Sequence, residues 1–257
     1  MPELPDLQVF SRNLTKSLQG KKLQKITIGQ SRNVKSSEKA LAEALVGHEL
    51  SKVIRSGKEL HFEFGGGHVL GLHLMLHGQL ILAGDDREQK SLIIALTFDD
   101  GHALSLTDFQ KAATATLDPK PNATPDALDV ETAYLGQAFA KTRTPVKTVL
   151  MDQKVLRGIG NAYADEILWD ARISPFSPAN KIPKANVADL AKSIKKVLHN
   201  AETQILKNRP DIISGEYRDF MEVHNSRKTK TSTGAAIKQD VISSRKTYYT
   251  DEQELFE

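Results

Sequence analysis

The residues best able to do covalent chemistry stand at the start of the chain, in MPELPDL. Removal of Met1 makes Pro2 the terminus and its nitrogen a secondary amine. α-Amino groups titrate near pH 8, about two units below lysine, so a useful fraction is uncharged at neutral pH. Such an amine on a rigid element can attack a carbonyl-like carbon and form a Schiff base. Glu3 beside it can move protons. That chemistry exists only once Met1 is gone. The same stretch also has a plainer reading. Leu7, Phe10, Leu14 and Leu18 recur at helical spacing, with Ser11, Arg12, Asn13, Lys16 and Ser17 on the other face. Pro2 then lies at or near the first helical position, where proline fits well. The stretch alone leaves both readings open.

A second motif lies in the interior, LRGIGNAYADE from Leu156 to Glu166. Gly158 and Gly160 flank Ile159, and Asn161 opens a new helix. Glycines let backbone N–H groups approach a phosphate, and a helix N-terminus adds partial positive charge. Asn161 could cap that helix or donate to the phosphate through its amide. A plain tight turn between two helices has the same residues.

Composition bounds what these motifs can belong to. The chain has 257 residues, 39% of them hydrophobic, enough for two domains or one large one. Cysteine is absent, which excludes disulfides and thiolate metal sites and fits a reducing cytoplasm. No apolar run approaches the ~20 residues of a membrane span. No signal-peptide core is expected, since polar residues interrupt Leu4, Leu7, Val9 and Phe10. The net charge is only +3, but it is unevenly spread. Residues 141–210 carry thirteen Lys/Arg against six Asp/Glu, and residues 224–249 carry six against one. A basic C-terminal half points to a polyanion, most simply nucleic acid.

The elements that would position the motifs follow from periodicity. After the first helix, LQKITI reads as a strand, and residues 36–46 read as a helix with a Ser cap and Gly47 at its end. LSKVIRSG, ELHFEF, HVLGLHLML, GQLILAG, SLIIALTFDD and HALSLTDF then read as strands at sandwich or barrel spacing, with a hairpin turn at DDGH, residues 99–102. Residues 118–130 hold three prolines and mark a domain boundary. Helices follow: ETAYLGQAFAKT, VKTVLMDQKVL, NAYADEILWDAR and VADLAKSIKKVLHNAETQILKN. AAIKQDVI and KTYYT are short strands around a turn near the end.

MPELPDL together with LMDQKVLRGIGNAYADEILW, about 150 residues later, resembles the formamidopyrimidine-DNA glycosylase/endonuclease VIII family of base-excision repair enzymes. The resemblance spans nearly the whole chain. It implies an α+β multi-domain fold: an N-terminal helix plus β-sandwich or barrel at 1–118, a linker at 119–130, a helix–two-turns–helix domain at 131–215 and a β-hairpin finger at 216–257. It implies a bifunctional DNA glycosylase/AP lyase that removes oxidised bases and nicks the strand by β,δ-elimination, with no external cofactor. Pro2 is then the nucleophile on the sugar C1′, Glu3 the acid/base group and Lys58 the lysine that holds phosphate and assists catalysis. Asn161, His73, Lys154 and the finger residue Arg245 contact the DNA backbone, with Lys246 as the alternative to Arg245. Asp6 replaces the usual Glu in a structural role. The implied partner is double- or single-stranded damaged DNA, the implied state a monomer with no membrane attachment, and the location the bacterial cytoplasm with the nucleoid, or a nucleus. A catalytically weak damaged-DNA-binding protein of the same fold is the alternative.

Besides Asp6, the sequence departs from the family pattern in three places. Lys230, Thr233, Thr250 and Gln253 stand where zinc-finger members have cysteines, so the finger is expected to be zincless and held by packing of Ile237, Val241, Ile242, Tyr248 and Tyr249. Of the Met, Arg and Phe that fill the gap left by a flipped base, Leu76 takes the first place, while Gln110 and Ala112 take the others. Leu76 can wedge into a base stack, but Gln110 lacks arginine's fork of donors. Finally, RDFMEVHNS runs directly into the finger, without the longer loop that covers 8-oxoguanine. An endonuclease VIII-like preference for oxidised pyrimidines, ring-opened purines or abasic sites over 8-oxoguanine is therefore expected.

Overall fold

The computed structural model describes residues 1–29, 32–83 and 90–257. The chain divides into two compact units, one of residues 1–122 with 205–216, the other of residues 123–204 with 217–257.

The first unit is a helix on two antiparallel sheets. Helix α1 (Leu4–Leu18) is followed by β1 (Leu23–Ile28) and α2 (Glu38–Leu45). Strands β2 (Leu50–Ser56), β3 (Glu59–Phe64), β4 (Val69–His73), β5 (Gln79–Ala83), β6 (Leu92–Phe98), β7 (Ala103–Thr107) and β8 (Thr114–Leu117) complete it. One sheet runs β1-β6-β7-β5 and the other β2-β3-β4-β8. The sandwich core is apolar: Leu7, Phe10, Leu14 and Leu18 of α1 join Phe62, Leu72, Leu96, Phe98 and Leu106 from the inner faces. The apolar face expected of the first helix is therefore met, but Ser11 and Asn13, expected on the opposite face, are buried as well. The DDGH hairpin joins β6 to β7, with Phe98 N–H donating to His102 O at 2.8 Å.

Two expectations are corrected. HVLGLHLML stops being a strand at His73, because Met75 takes a positive φ of 53° and turns the chain. Strand β8, TATL, was not expected. It has only four residues, and Ala115 is its one buried position. Gly84, the end of the expected GQLILAG strand, lies outside the described residues.

The second unit holds α3 (Thr132–Ala140), α4 (Val146–Met151), α5 (Asn161–Asp170) and most of α6 (Lys184–Asn208). It ends in a two-stranded hairpin, β9 (Lys238–Ile242) and β10 (Arg245–Tyr249). The expected helix VKTVLMDQKVL is cut short at Met151: Asp152 is extended (ψ 109°), and two turns lead to α5. Residues 123–130 pack on those turns. Arg157 N–H donates to Pro125 O at 2.9 Å, and its Nε to Thr124 O at 2.7 Å. Among the described residues no helix is long and apolar enough to cross a membrane.

Candidate functional site

In the first unit the start of α1 shows why Pro2 is not a helix residue. Glu3 is the N-cap, Leu4 the first helical residue and Pro5 the second. Pro5, not Pro2, fills the place where a missing N–H is harmless. Asp6 Oδ2 accepts the Glu3 N–H at 2.9 Å and closes a capping box, the structural role expected of it. Pro2 is left before the cap, buried but lining a cavity of about 550 Å³. The cavity is also lined by Leu76, His77, Phe109, Gly215 and Glu216. Glu3 is itself 4% exposed.

Two tight loops shape that cavity. In Leu74–Gly78 the Gly78 N–H donates to Leu74 O at 2.8 Å. A Cβ on Gly78 would come within 2.2 Å of that same oxygen, so only glycine closes the loop. Buried Leu74 anchors it, and Leu76 projects with 56% of its surface exposed. The second loop winds around Asp108, which is buried. Its carboxylate accepts the N–H groups of Gln110, Ala112 and Ala113, each at 2.9 Å. This rigid turn holds Phe109 outward, 67% exposed, with its ring 4.6 Å from that of His77. Sequence reasoning missed Phe109, because alignment drew attention to Gln110 and Ala112. The signal available was an aromatic residue immediately after the Asp of a turn.

Lys58 sits in the two-residue turn between β2 and β3, after Gly57 with φ 59°. His73 ends β4 opposite Glu59. Its Nδ1 lies 3.0 Å from the Met75 N–H and must accept from it, so a neutral His73 carries its proton on Nε2. Burial pushes the His73 pKa down, and the Lys58 cation adds to that, while Glu59 opposes. Glu59 is itself held below the usual carboxylate range, first by its hydrogen bond to His61. The structure thus brings Lys58 and His73 into one electrostatic cluster.

In the second unit, Gln153 staples the two turns. Its Nε2 donates to Met151 O at 2.9 Å and Ile159 O at 2.8 Å, and its Oε1 accepts the Gly158 N–H at 2.9 Å. Gly158 has φ 104°, which favours glycine. Gly160 is the N-cap of α5, so the capping role considered for Asn161 is not the one it plays. Asn161 is the first helical residue, and its Nδ2 donates to Lys246 O at 3.0 Å. Lys154 is exposed on the first turn. Arg245 is exposed at the start of β10, directly after Ser243 and Ser244, whose φ values are 48° and 62°. Positive φ at both loop residues is what a type I′ hairpin needs. Thr148 Oγ1, 3.1 Å from Ser243 Oγ, pins that turn to α4.

The finger is fastened by buried polar groups. Lys147, 1% exposed, pairs with Asp165 at 2.7 Å and donates to Lys246 O at 3.0 Å and Thr247 Oγ1 at 2.8 Å. Asp165 Oδ2 also accepts the Tyr248 N–H at 3.0 Å and meets His224 Nδ1 at 2.7 Å. Glu166 accepts the N–H groups of Glu222, Val223 and His224 at 2.7–2.8 Å. Burial pushes the Glu166 carboxyl up, and those three donors pull the other way. At the former cysteine places Thr233 hydrogen bonds Thr231 and Glu252, and Gln253 joins Thr250 N to Ile173 O. Of the expected apolar finger core, Ile242 and Tyr248 are buried, but Val241 is 59% exposed. Val241 and Ile242 are consecutive strand residues and point to opposite faces, so both could not be core.

The comparisons with known proteins agree with this geometry. Residues 1–115 match the model of the formamidopyrimidine-DNA glycosylase N-terminal domain, and residues 121–207 that of the formamidopyrimidine-DNA glycosylase H2TH domain. A formamidopyrimidine-DNA glycosylase of Enterococcus faecalis is 32% identical over 216 residues, 78% of this chain and 76% of its own. That of Chloroflexus aurantiacus is 28% identical over 266 residues, 97% of this chain and 96% of its own. The chain belongs to the formamidopyrimidine-DNA glycosylase family. Among solved structures, the Lactococcus lactis Fpg in complex with abasic-site DNA aligns with a TM-score of 0.88 at 25% identity, over 98% of this chain and 100% of that one. MutM in complex with DNA containing carbocyclic 8-oxo-G aligns at 0.87 and 26% identity, over 98% and 100% of the two chains. The expected α+β fold, with sandwich, H2TH domain and cysteine-free hairpin finger, is the one observed.

Proposed function

We propose that the protein is a DNA glycosylase and AP lyase that excises oxidised bases through the amine of Pro2. The observation that carries this reading is the position of Pro2. It stands outside the helix, in the wall of a cavity large enough for a base, below two loops that raise apolar side chains. An enzyme acting on a base must take it out of the stack at a cost of a few kcal/mol. Side chains inserted in its place offset that cost. Leu76 and Phe109 are shaped for that task, Phe109 compensating for Ala112.

The reaction runs as follows. The uncharged Pro2 nitrogen attacks C1′ of the flipped nucleotide, and the base departs with its bonding electrons and takes up a proton. The sugar ring opens to give an iminium, which acidifies C2′. Removal of that proton expels the 3′ phosphate, and a second elimination expels the 5′ phosphate. Glu3 moves protons in these steps, and the iminium is the electron sink, so no cofactor is required. Lys58 and a neutral His73 bind phosphate, as do Lys154, Asn161 and Arg245. The substrate class is oxidised pyrimidines, ring-opened purines and abasic sites in damaged DNA, in preference to 8-oxoguanine, acted on by a monomer in the compartment that holds the chromosome.

Borohydride trapping on abasic-site DNA tests the reading. Protein with Met1 removed is expected to give a covalent adduct, and Pro2→Gly to lower its yield at least about a hundredfold. No adduct from correctly processed protein would refute the enzyme and leave a damaged-DNA-binding protein of the same fold.

A further inference from the structure

We infer that Glu216 is a further catalytic residue, the proton acceptor for the Pro2 amine. The inference rests on the Schiff-base reading above and deepens it. Among the described residues, Glu3, Asp6 and Glu216 bring carboxylates to the start of α1 or the cavity beside it, and they are not equivalent. Asp6 is committed to the Glu3 N–H at 2.9 Å. Glu3 is buried and closes the capping box. Glu216 comes from the other end of the unit's chain, lines the same cavity as Pro2, and pairs through Oε1 with the α-ammonium of Met1. Its side chain is 35% exposed, so it can exchange protons with solvent.

The segment that carries Glu216 is anchored to the sandwich. Asn13 of α1 donates through Nδ2 to Ile212 O at 2.8 Å, and Ser214 Oγ accepts the Leu80 N–H of β5 at 3.0 Å. Gly215, with φ 82°, then turns the chain so that Glu216 faces the cavity. With Met1 in place, this carboxylate already holds the terminal ammonium. With Met1 removed, the terminal ammonium is that of Pro2, one residue further along. One residue spans at most about 3.6 Å of chain, which the three rotatable bonds of a part-exposed glutamate can cover.

Proton transfer then balances over the cycle. On an abasic aldehyde the Pro2 ammonium gives one proton to Glu216, and the freed nitrogen pair bonds to C1′. The remaining N–H proton passes to the new hydroxyl oxygen as the carbinolamine forms. Glu216 returns its proton as that hydroxyl leaves as water, giving the iminium and restoring the carboxylate. The secondary ammonium and the aldehyde have become an iminium and water, with no other reactant. Glu3 remains available for the later eliminations.

The test compares Met1-processed wild type, Glu216→Gln and Glu216→Asp by single-turnover borohydride trapping on abasic-site DNA from pH 6 to 9. Affinity for tetrahydrofuran-containing DNA is measured in parallel. Glu216→Gln is expected to slow trapping about 10- to 100-fold at pH 6.5, in the range of general acid–base effects. The deficit should shrink toward pH 9, where solvent deprotonates the amine, with DNA affinity unchanged. Glu216→Asp should recover part of the rate. Equal rates for Glu216→Gln and wild type would overturn the assignment while leaving Pro2 as nucleophile. So would a deficit independent of pH, or one matched by lost affinity. Absence of an adduct from wild type would instead overturn the Pro2 reading, and this inference with it.

Discussion

The two units solve the same problem, holding a few polar side chains in fixed places, by opposite means. In the sandwich unit the fixed framework is apolar. Leucine and phenylalanine side chains fill the space between two sheets, and the polar groups sit on loops at its rim. In the second unit the hairpin is too small to bury a comparable core. It is fastened by charges inside the protein: Lys147 on Asp165, Asp165 on His224 and the Tyr248 N–H, Glu166 on three further N–H groups. A buried ion pair is not in itself a source of stability, since desolvation consumes much of the attraction. It does impose geometry. Lys147 and Asn161 both donate to the carbonyl of Lys246, so the residue after Arg245 is fixed from two helices. A chain without cysteines thereby gains the placement that a metal would otherwise give.

The sharpest way to break this comparison is Asp165→Asn. It leaves Lys147 charged and buried with one good acceptor fewer, and removing one partner of such a pair costs about 3–5 kcal/mol. The loss should be local. Hydrogen exchange at residues 246–248 is expected to become fast, and DNA affinity to fall, while amides of β6 and β7 keep their protection. Uniform loss of protection in both units would show that the network serves general stability rather than the finger.

Phe109→Ala probes the other unit with a smaller effect. Asp108 keeps the loop closed through three backbone hydrogen bonds, so the variant should fold as wild type does. Excision from matched duplex is expected to drop about tenfold, equivalent to about 1.4 kcal/mol, and excision from single strands to change far less. A single strand has little stacking for a wedge to replace. An equal drop on both substrates would place Phe109 in binding rather than in base extrusion.

The two units also differ in how much of them could be read from the sequence. Periodicity exposed the sandwich: Leu7, Phe10, Leu14 and Leu18 announce the buried face of α1, and seven of the eight strands follow as apolar or alternating runs. β8 escaped because four residues with one buried alanine carry no such signal. The finger's network escaped for another reason. Lys147 and Thr247 are 100 residues apart, and Asp165 and Tyr248 are 83 apart. No local pattern distinguishes a lysine that will be buried from one on a solvated helix face. Hydrophobicity alone therefore chose Val241 as core, where strand alternation sends it outward. The chemistry of a terminal amine and of a glycine-flanked helix start singled out Pro2 and Asn161, but no local pattern marked Phe109 or Glu216, which join Pro2 only in the folded cavity.

The smallest effect sharpens the rim of the sandwich unit, through the charge state of His73. Burial, then the Lys58 cation, holds the ring's pKa below its ordinary value of 6.5. The folded protein therefore prefers the neutral ring, with Nδ1 accepting from Met75 N–H and the Nε2 proton left to donate. A base whose pKa is depressed by folding contributes its full stability above its unfolded value and loses it as pH falls from there through the folded one. His73 should thus cost stability as pH drops below about 6.5. The Glu59 carboxylate, whose folded pKa is also depressed, should lose its contribution only below its ordinary 4.5. His73→Gln keeps an acceptor for the Met75 N–H but cannot titrate. Denaturant unfolding at pH 7.5 and pH 5 is expected to show wild type losing stability between the two and the variant losing less. A pH-independent gap between them would mean that His73 titrates as it does in the unfolded chain. Phosphate would then be met at acid pH by a second cation beside Lys58 rather than by a neutral donor.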